Sequence, residues 1–191
     1  KFNAPGLFVV SAVPENDEQL PAISGNIVVW QDGFPGDYNI YGADITRWRR
    51  PDEFAIAVYD ANQTAPTIHR NTVMWQDDFW GDWDIFGADI WLRNEPWEFD
   101  VSVFAGQQIA PSTARGVAVW QDDFDGNWDI YGASTDEVGV LDEFAISTDA
   151  ASQVNPCVDG HIVVWQDARQ GNWDIYGYNL LTLEEFQITT D

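Results

Sequence analysis

The sequence is poor in cysteine, histidine and basic residues. One cysteine, Cys157, among 191 residues excludes an internal disulfide and a multi-cysteine metal site. Only 8 Lys and Arg residues stand against 32 Asp and Glu, which gives a formal net charge of −24. A surface of that sign repels nucleic-acid phosphates and anionic lipid headgroups. No apolar run approaches the roughly 20 residues that span a bilayer. The sequence therefore predicts neither nucleic-acid binding nor membrane insertion.

Aromatic residues are abundant, and they recur at a fixed interval. The chain has 11 tryptophans, and a Trp-Gln-Asp motif returns every 45 positions, as do a proline, a loop glycine and an aromatic-Gly pair. The motif tryptophans are Trp30, Trp75, Trp120 and Trp165, and the prolines are Pro21, Pro66, Pro111 and Pro156. Four copies in one register predict a repeat architecture.

Each repeat has the pattern of four short strands and no helix. In the first repeat we predict strands at Pro21–Ser24, Ile27–Gln31, Tyr38–Ile45 and Phe54–Val58, because no segment has a sustained helical period. Four antiparallel strands in about 45 residues are typical of a β-propeller blade. The recurring tryptophan is expected to pack between adjacent blades. A β-sandwich is the competing all-β fold, but its strands need not repeat so regularly.

The sequence thus predicts an all-β β-propeller of four blades, each a four-stranded antiparallel sheet. We expect one domain over residues 1–191, with a lead-in at 1–20 and blades at 21–65, 66–110, 111–155 and 156–191. Leu7–Ser11 resembles the fourth strand of a preceding blade and is expected to form an additional strand. The chain length fits a ring of four blades, and the alternative is that these blades form part of a larger ring.

Two segments carry a family resemblance. Val28–Asp32 and Gly171–Gly177 resemble the blade motif of TolB-type β-propeller repeats, in particular the versions found in large secreted or cell-surface proteins of archaea and bacteria. The resemblance covers residues 21–191. It implies a propeller fold and an extracellular or cell-surface location. It does not imply one function, because such propellers serve as scaffolds, adhesins and occasionally enzymes.

Four tryptophans are not required by the repeat, and we interpret them as candidate binding residues. They are Trp48, Trp80, Trp91 and Trp97, all in the first two repeats. Trp80 lies at a loop tip between Asp78 and Asp82. Aromatic faces beside carboxylates are typical of sugar-binding sites, where the ring contacts the apolar face of the sugar and the carboxylates accept from hydroxyls. The alternative is that these rings pack on neighbouring loops or at a subunit interface.

The repeated aspartates have two interpretations. Clustered carboxylates in a glycine-containing loop can bind calcium, and Asp123, Asp125 and Asp129 come nearest to such a loop. The other repeats lack this pattern, because Pro35, Trp80 or Gln170 stands at the position of Asp125. The structural interpretation, which we favour, is that each motif aspartate accepts backbone N–H groups of its own loop.

Catalysis has little support in the sequence. The two histidines, His69 and His161, lie at hairpin turns of different repeats, and Cys157 follows Pro156 in a strand that we expect to be buried. We therefore expect a non-catalytic extracellular binding module with no cofactor other than possible calcium. Its partner would be a glycan or a protein. One alternative is an assembly component that joins copies or partner proteins through edge strands and aromatic contacts. A minor alternative is a polysaccharide-acting enzyme.

Overall fold

The computed structural model describes residues 8–11, 16–34, 36–135 and 142–190. These ranges contain sixteen β-strands and no helix, and so no helix with the length and apolar character needed to cross a membrane. The prediction of an all-β chain is confirmed.

The strands form four antiparallel sheets, each made of four strands that are consecutive in the chain. Sheet 1 contains β1 (Asp17–Ser24), β2 (Ile27–Phe34), β3 (Asp37–Asp44) and β4 (Asp52–Ala57). Sheet 2 contains β5 (Gln63–His69), β6 (Thr72–Asp77), β7 (Asp84–Asp89) and β8 (Trp97–Ser102). Sheet 3 contains β9 (Gln108–Ala114), β10 (Val117–Asp122), β11 (Asp129–Ser134) and β12 (Glu143–Ser147). Sheet 4 contains β13 (Gln153–Asp159), β14 (Ile162–Asp167), β15 (Asp174–Asn179) and β16 (Glu184–Gln187).

The repeated proline lies inside the first strand of each sheet. Proline has no N–H to donate to a strand ladder, so it is tolerated in a strand at a bulge. In sheet 2 the pairing of β5 with β6 shifts between Thr64 and Thr67, and Ala65, just before Pro66, has a φ of 53°. The residue before the proline has a positive φ in all four sheets: Leu20, Ala65, Ala110 and Asn155. Each first strand therefore begins before its proline rather than at it.

The glycine that ends the aromatic-Gly pair has a packing reason. In sheet 2 Gly87 of β7 pairs with Phe99 of β8, and a Cβ added to Gly87 would lie 2.8 Å from the Phe99 ring. The same pairing of glycine with phenylalanine recurs in every sheet: Gly42 with Phe54, Gly132 with Phe144 and Gly177 with Phe186. The ring covers the glycine backbone, so a side chain at the glycine position would collide with the phenylalanine ring.

The apolar core lies between consecutive sheets. Its three clusters each combine residues of two neighbouring sheets, as when Ile27 and Val29 of sheet 1 pack with Ile68 and Trp75 of sheet 2. The motif tryptophans are the largest of these residues and all four are buried. Each of Trp75, Trp120 and Trp165 belongs to the cluster shared with the preceding sheet. The prediction that the motif tryptophans pack between blades is confirmed for these three. Trp30 is buried beside Val9–Ser11 instead.

The two outer sheets each leave one face without a neighbouring sheet. Ile23 of sheet 1 is 62% exposed, whereas Ile68 and Val158, at the equivalent position of sheets 2 and 4, are 8% and 6% exposed. Ile162 of sheet 4 is 38% exposed, whereas its equivalent Ile27 in sheet 1 is 6% exposed. We call the side of a sheet that faces the preceding sheet its leading face, and the side that faces the next sheet its trailing face. Among the described residues, no neighbouring sheet covers the leading face of sheet 1 or the trailing face of sheet 4. We call these two faces open, although Trp30 on the leading face is itself buried.

Two sequence predictions need correction at these ends. Phe8–Ser11 form no strand, and Leu7 lies outside the described residues. Instead, Val9–Ser11 lie beside Trp30 on the leading face of sheet 1. Cys157, which we expected to be buried, is exposed. Strand side chains alternate between faces. Pro156 and Val158 are buried, whereas Cys157 points to the opposite, trailing face, which none of the four described sheets covers.

Candidate ligand-binding site

Each residue of the Trp-Gln-Asp motif has a different structural role. The indole of Trp75 contacts the preceding sheet and donates from Nε1 to Asp77 at 3.2 Å. Asp77 also accepts from the backbone N–H of Phe79 at 2.8 Å, which closes the loop after β6. The same loop closure recurs at Asp122 and Asp167. The interpretation of the motif aspartates as loop-closing residues is confirmed for Asp77, Asp122 and Asp167. The fourth, Asp32, has a buried Oδ1 with no hydrogen-bond donor among the described residues.

The glutamine of the motif joins one sheet to the next. Gln31 Oε1 accepts from the N–H of Ala65 at 3.0 Å. The bond recurs from Ala110 to Gln76 at 3.0 Å and from Asn155 to Gln121 at 2.8 Å. The donor is the residue of positive φ before each proline. The bulge of one sheet and the motif glutamine of the preceding sheet therefore form the hydrogen bond that joins the two sheets.

Two of the three candidate calcium ligands, Asp123 and Asp129, accept hydrogen bonds from different partners. Asp123 Oδ1 accepts from the N–H of Gln107 at 2.6 Å, and Asp129 Oδ1 accepts from the Asn127 amide at 2.8 Å. Burial, assisted by Asp125 and other carboxylates, raises the pKa of Asp129 to about 6. Within the described ranges no group of three or more His, Cys, Asp or Glu side chains is placed to hold a metal ion. The calcium prediction therefore gains no support from the geometry.

Trp80 lies at the tip of the loop between β6 and β7, and its side chain is 68% exposed. Its ring meets Phe79 edge to face at a centroid distance of 4.9 Å. Phe79 in turn meets Tyr59 edge to face at 5.7 Å. The Tyr59 hydroxyl donates to Asp77 at 2.5 Å, so the aromatic chain is anchored in the loop closure described above. These contacts orient the rings before any ligand arrives.

These rings line a shallow cleft of roughly 360 Å³ on sheet 2. Phe86 and Phe99 complete its apolar wall, and Glu98 and Asp100 of β8 supply carboxylates. Partial desolvation, and then the field of Asp77, raises the pKa of Glu98. The cleft thus combines exposed aromatic faces with hydrogen-bond acceptors at one edge.

The other predicted binding residues divide into two groups. Asp78 accepts from the N–H and side-chain amide of Asn62 at 2.7 and 2.8 Å, and Asp82 accepts from the N–H of Gly106 at 3.3 Å. Both brace loops beside Trp80, and neither lines the cleft. Trp91 lies in the loop between β7 and β8, Trp97 begins β8, and Trp48 lies in the equivalent loop of sheet 1. Strand direction places these three at the opposite end of the sheets from Trp80.

Sequence reasoning missed Glu98 and Tyr59. The signal for Glu98 was available, because a glutamate precedes the fourth-strand phenylalanine in every repeat: Glu53, Glu98, Glu143 and Glu185. Tyr59 gave no such signal, because its equivalents are Phe104 and Asp149. Only the fold brings this connecting segment next to the loop that carries Trp80.

Sheet 4 has the same cleft position, but its own arginine fills it. Arg169, equivalent to Phe79, donates to Asp167 and to Glu185. Its guanidinium lies 4.3 Å from the centre of the Tyr176 ring. These contacts hold the pKa of Asp167 below its ordinary value, although burial opposes the shift. In sheet 2 no side chain of this kind occupies the position, so the Glu98 carboxylate faces an open cleft.

Comparisons with known proteins identify the fold. No protein-family model and no curated protein sequence matches the chain. Among solved structures, the Agrobacterium tumefaciens protein described as TolB matches with a TM-score of 0.67 at 14% identity, over 92% of this chain and 63% of that one. TolB of Acinetobacter baumannii matches with a TM-score of 0.60 at 12% identity, over 88% and 42%. A Mycobacterium tuberculosis puromycin-hydrolyzing peptidase matches with a TM-score of 0.67 at 13% identity, over 91% and 29%.

The chain therefore spans less than two thirds of each of these proteins. Identities this low carry the fold and not the activity. The resemblance to TolB-type repeats is confirmed at that level: the chain has a TolB-like β-propeller fold, represented here by four consecutive blades.

Proposed function

We propose that this chain is a non-catalytic binding module, and that the cleft beside Trp80 takes a neutral carbohydrate. The observation that carries the proposal is the aromatic chain of the exposed Trp80 and Phe79 and the half-buried Tyr59 beside the Glu98 carboxylate. Aromatic side chains with a few convergent polar groups are the usual lining of small-molecule sites. The charge of −24 disfavours anionic ligands.

The chemistry of a sugar fits both parts of the cleft. Its apolar C–H face can lie against the Trp80 indole, and its hydroxyls can donate to Glu98 and Asp100. The acceptors in this proposal differ from those expected from the sequence, because Asp78 and Asp82 are already engaged within their loops. The extracellular or cell-surface location implied by the family resemblance is part of the same proposal.

The test is a titration of neutral oligosaccharides followed by tryptophan fluorescence. We expect a saturable change in the wild-type protein, its loss in Trp80→Ala and a weaker affinity in Glu98→Gln. Trp91→Ala is the matched control, because Trp91 is equally solvent-exposed and lies at the opposite end of the sheets. A saturable response that survives Trp80→Ala, or no response to any sugar, would overturn the proposal.

A second candidate function is assembly, favoured by the two open end faces. We infer that the four blades form an open array and not a closed ring of four. In support, packing comparable to that between consecutive sheets is not present between sheets 1 and 4 in the described ranges. Ile23 and Ile162, whose equivalents are buried at the internal junctions, are also exposed at the two ends.

A further inference from the structure

We propose that the trailing face of sheet 4 docks the first strand of sheet 1 of a second copy of this chain, and so repeats the first-strand part of the internal blade junction between molecules. This interface is independent of the carbohydrate cleft on sheet 2. The proposal rests on the three internal junctions, which show what each open face is built to contact.

The apolar part of the junction is present on both open faces. At the first internal junction Ile27 of the trailing face shares a cluster with Ile68 of the leading face. The equivalent residues at the ends are Ile162 on sheet 4 and Ile23 on sheet 1, and both are exposed. Cys157 and Ile188 also lie exposed on sheet 4. A second copy would bring Ile23 against Ile162 as Ile68 meets Ile27.

The polar part of the junction is also present. At every internal junction a motif glutamine accepts from the residue of positive φ in the next sheet. At the ends the matching acceptor is Gln166 and the matching donor is Leu20, whose φ of 48° repeats the bulge of the other sheets. An acceptor and a donor of the same junction therefore remain at opposite ends of the chain.

One polar position of the leading face departs from the internal pattern. Glu18 occupies the position of Gln63, Gln108 and Gln153, which are fully buried in their sheets. A carboxylate there opposes burial, and the charge of −24 on each copy adds repulsion. We therefore expect association to need high salt, since 1 M salt shortens the screening length to about 3 Å. Glu18→Gln should strengthen it.

Because the two faces differ, the contact is heterologous and each copy keeps one free face of each kind until a ring closes. The segment Val9–Ser11 lies over Trp30 on the same leading face, while Leu20 and Ile23 remain exposed. The docking surface is thus the first strand of sheet 1, and consecutive sheets in this chain also meet mainly through their first strands.

The test is sedimentation velocity at 1 M NaCl over a range of protein concentrations. We expect the wild type to associate, and Ile23→Asp or Ile162→Asp alone to weaken association by roughly tenfold or more, as for central apolar interface residues. An equimolar mixture of the two variants should form dimers, because each variant keeps the face that the other lacks. Leu92→Asp, which alters an exposed leucine away from both faces, should associate like the wild type.

A second readout uses the single cysteine. Cys157 is on the trailing face, so its alkylation rate in the wild type should fall as protein concentration rises. Circular dichroism checks that the variants fold, which we expect because both isoleucines are exposed in the single chain. A wild type that stays monomeric at 1 M NaCl, or association that survives both aspartate variants, would overturn the proposal. Neither result would affect the carbohydrate titration, which uses dilute protein.

Discussion

The motif glutamine offers a sharp test of how the blades are joined. In Gln31→Met the side chain keeps nearly the same length but loses the acceptor for the N–H of Ala65, which lies 3.0 Å away. Gln31 is buried and Ala65 is half-buried, so water can replace the lost acceptor only in part. Leaving a buried donor without a partner costs about 1–3 kcal/mol. Partial access of water to Ala65 places the expected loss at about 1–2 kcal/mol.

The chain contains its own matched control. Gln166 is the same motif residue, but the part of the chain that the structure describes has no sheet after sheet 4 to supply its donor. Gln166→Met should therefore leave the free energy of unfolding nearly unchanged in dilute protein. Thermal unfolding by circular dichroism measures both variants. A loss of about 1–2 kcal/mol lowers the Tm of a chain of this size by roughly 3–6 °C. Equal effects at Gln31 and Gln166, or no effect at Gln31, would refute the junction as described.

Three further predictions concern buried charge and close packing. Burial, and then the fields of Asp82, Asp77 and Asp100, raises the pKa of Asp84 to about 7, above an unfolded value of about 3.9. The folded state then binds this proton more tightly, so the cost of the charge is full above pH 7 and is relieved as the pH falls toward 4. Asp84→Asn, which introduces the residue found at the equivalent Asn39, should raise the Tm at pH 8 and not at pH 4. Asp159→Asn, an exposed control, should match the Tm of the wild type at both pH values. A stabilisation by Asp84→Asn at pH 4 and not at pH 8 would contradict this prediction. Arg169→Met should destabilise the chain by about 2–3 kcal/mol in chemical denaturation, because the Asp167 side chain is fully buried and loses its cation. A loss of stability under 1 kcal/mol would show that the ion pair is dispensable. Gly87→Ala should lower the Tm, because the new Cβ meets the Phe99 ring at 2.8 Å, and Phe99→Leu should cost less in the Gly87→Ala background than alone; additive losses would argue against this contact.

Most of the fold could be predicted because the same strand pattern recurs in all four repeats. The four strands of each unit follow from their alternation and turn residues, and the burial of the motif tryptophans follows from their place in apolar strands. The exact start of the first strand could not be predicted, because proline normally marks a strand end. Its position inside the strand depends on a bulge and on a hydrogen bond from another sheet.

The candidate site was predicted in part. Trp80 could be identified because the repeat does not require a tryptophan there, and the structure places it in an open cleft. Its neighbours could not be predicted from adjacency in the chain: Asp78 and Asp82 brace loops, whereas Glu98 and Tyr59 reach the cleft from other segments. Cys157 was predicted to be buried because the pattern of its strand is apolar. Its burial would require a further sheet packed on the trailing face of sheet 4.

The most direct test of the open blade array is residue-resolved hydrogen exchange on the dilute protein. The amides of Ala65 and Ala110 donate to glutamines of the preceding sheet and should exchange slowly. The amide of Leu20 has the same bulge conformation, and in an open array it should exchange quickly, then become protected at high protein concentration in 1 M NaCl as a second copy docks. Protection of Leu20 at every dilution, equal to that of Ala65 and lost in Gln166→Met, would contradict the account and indicate a ring closed by the four blades alone.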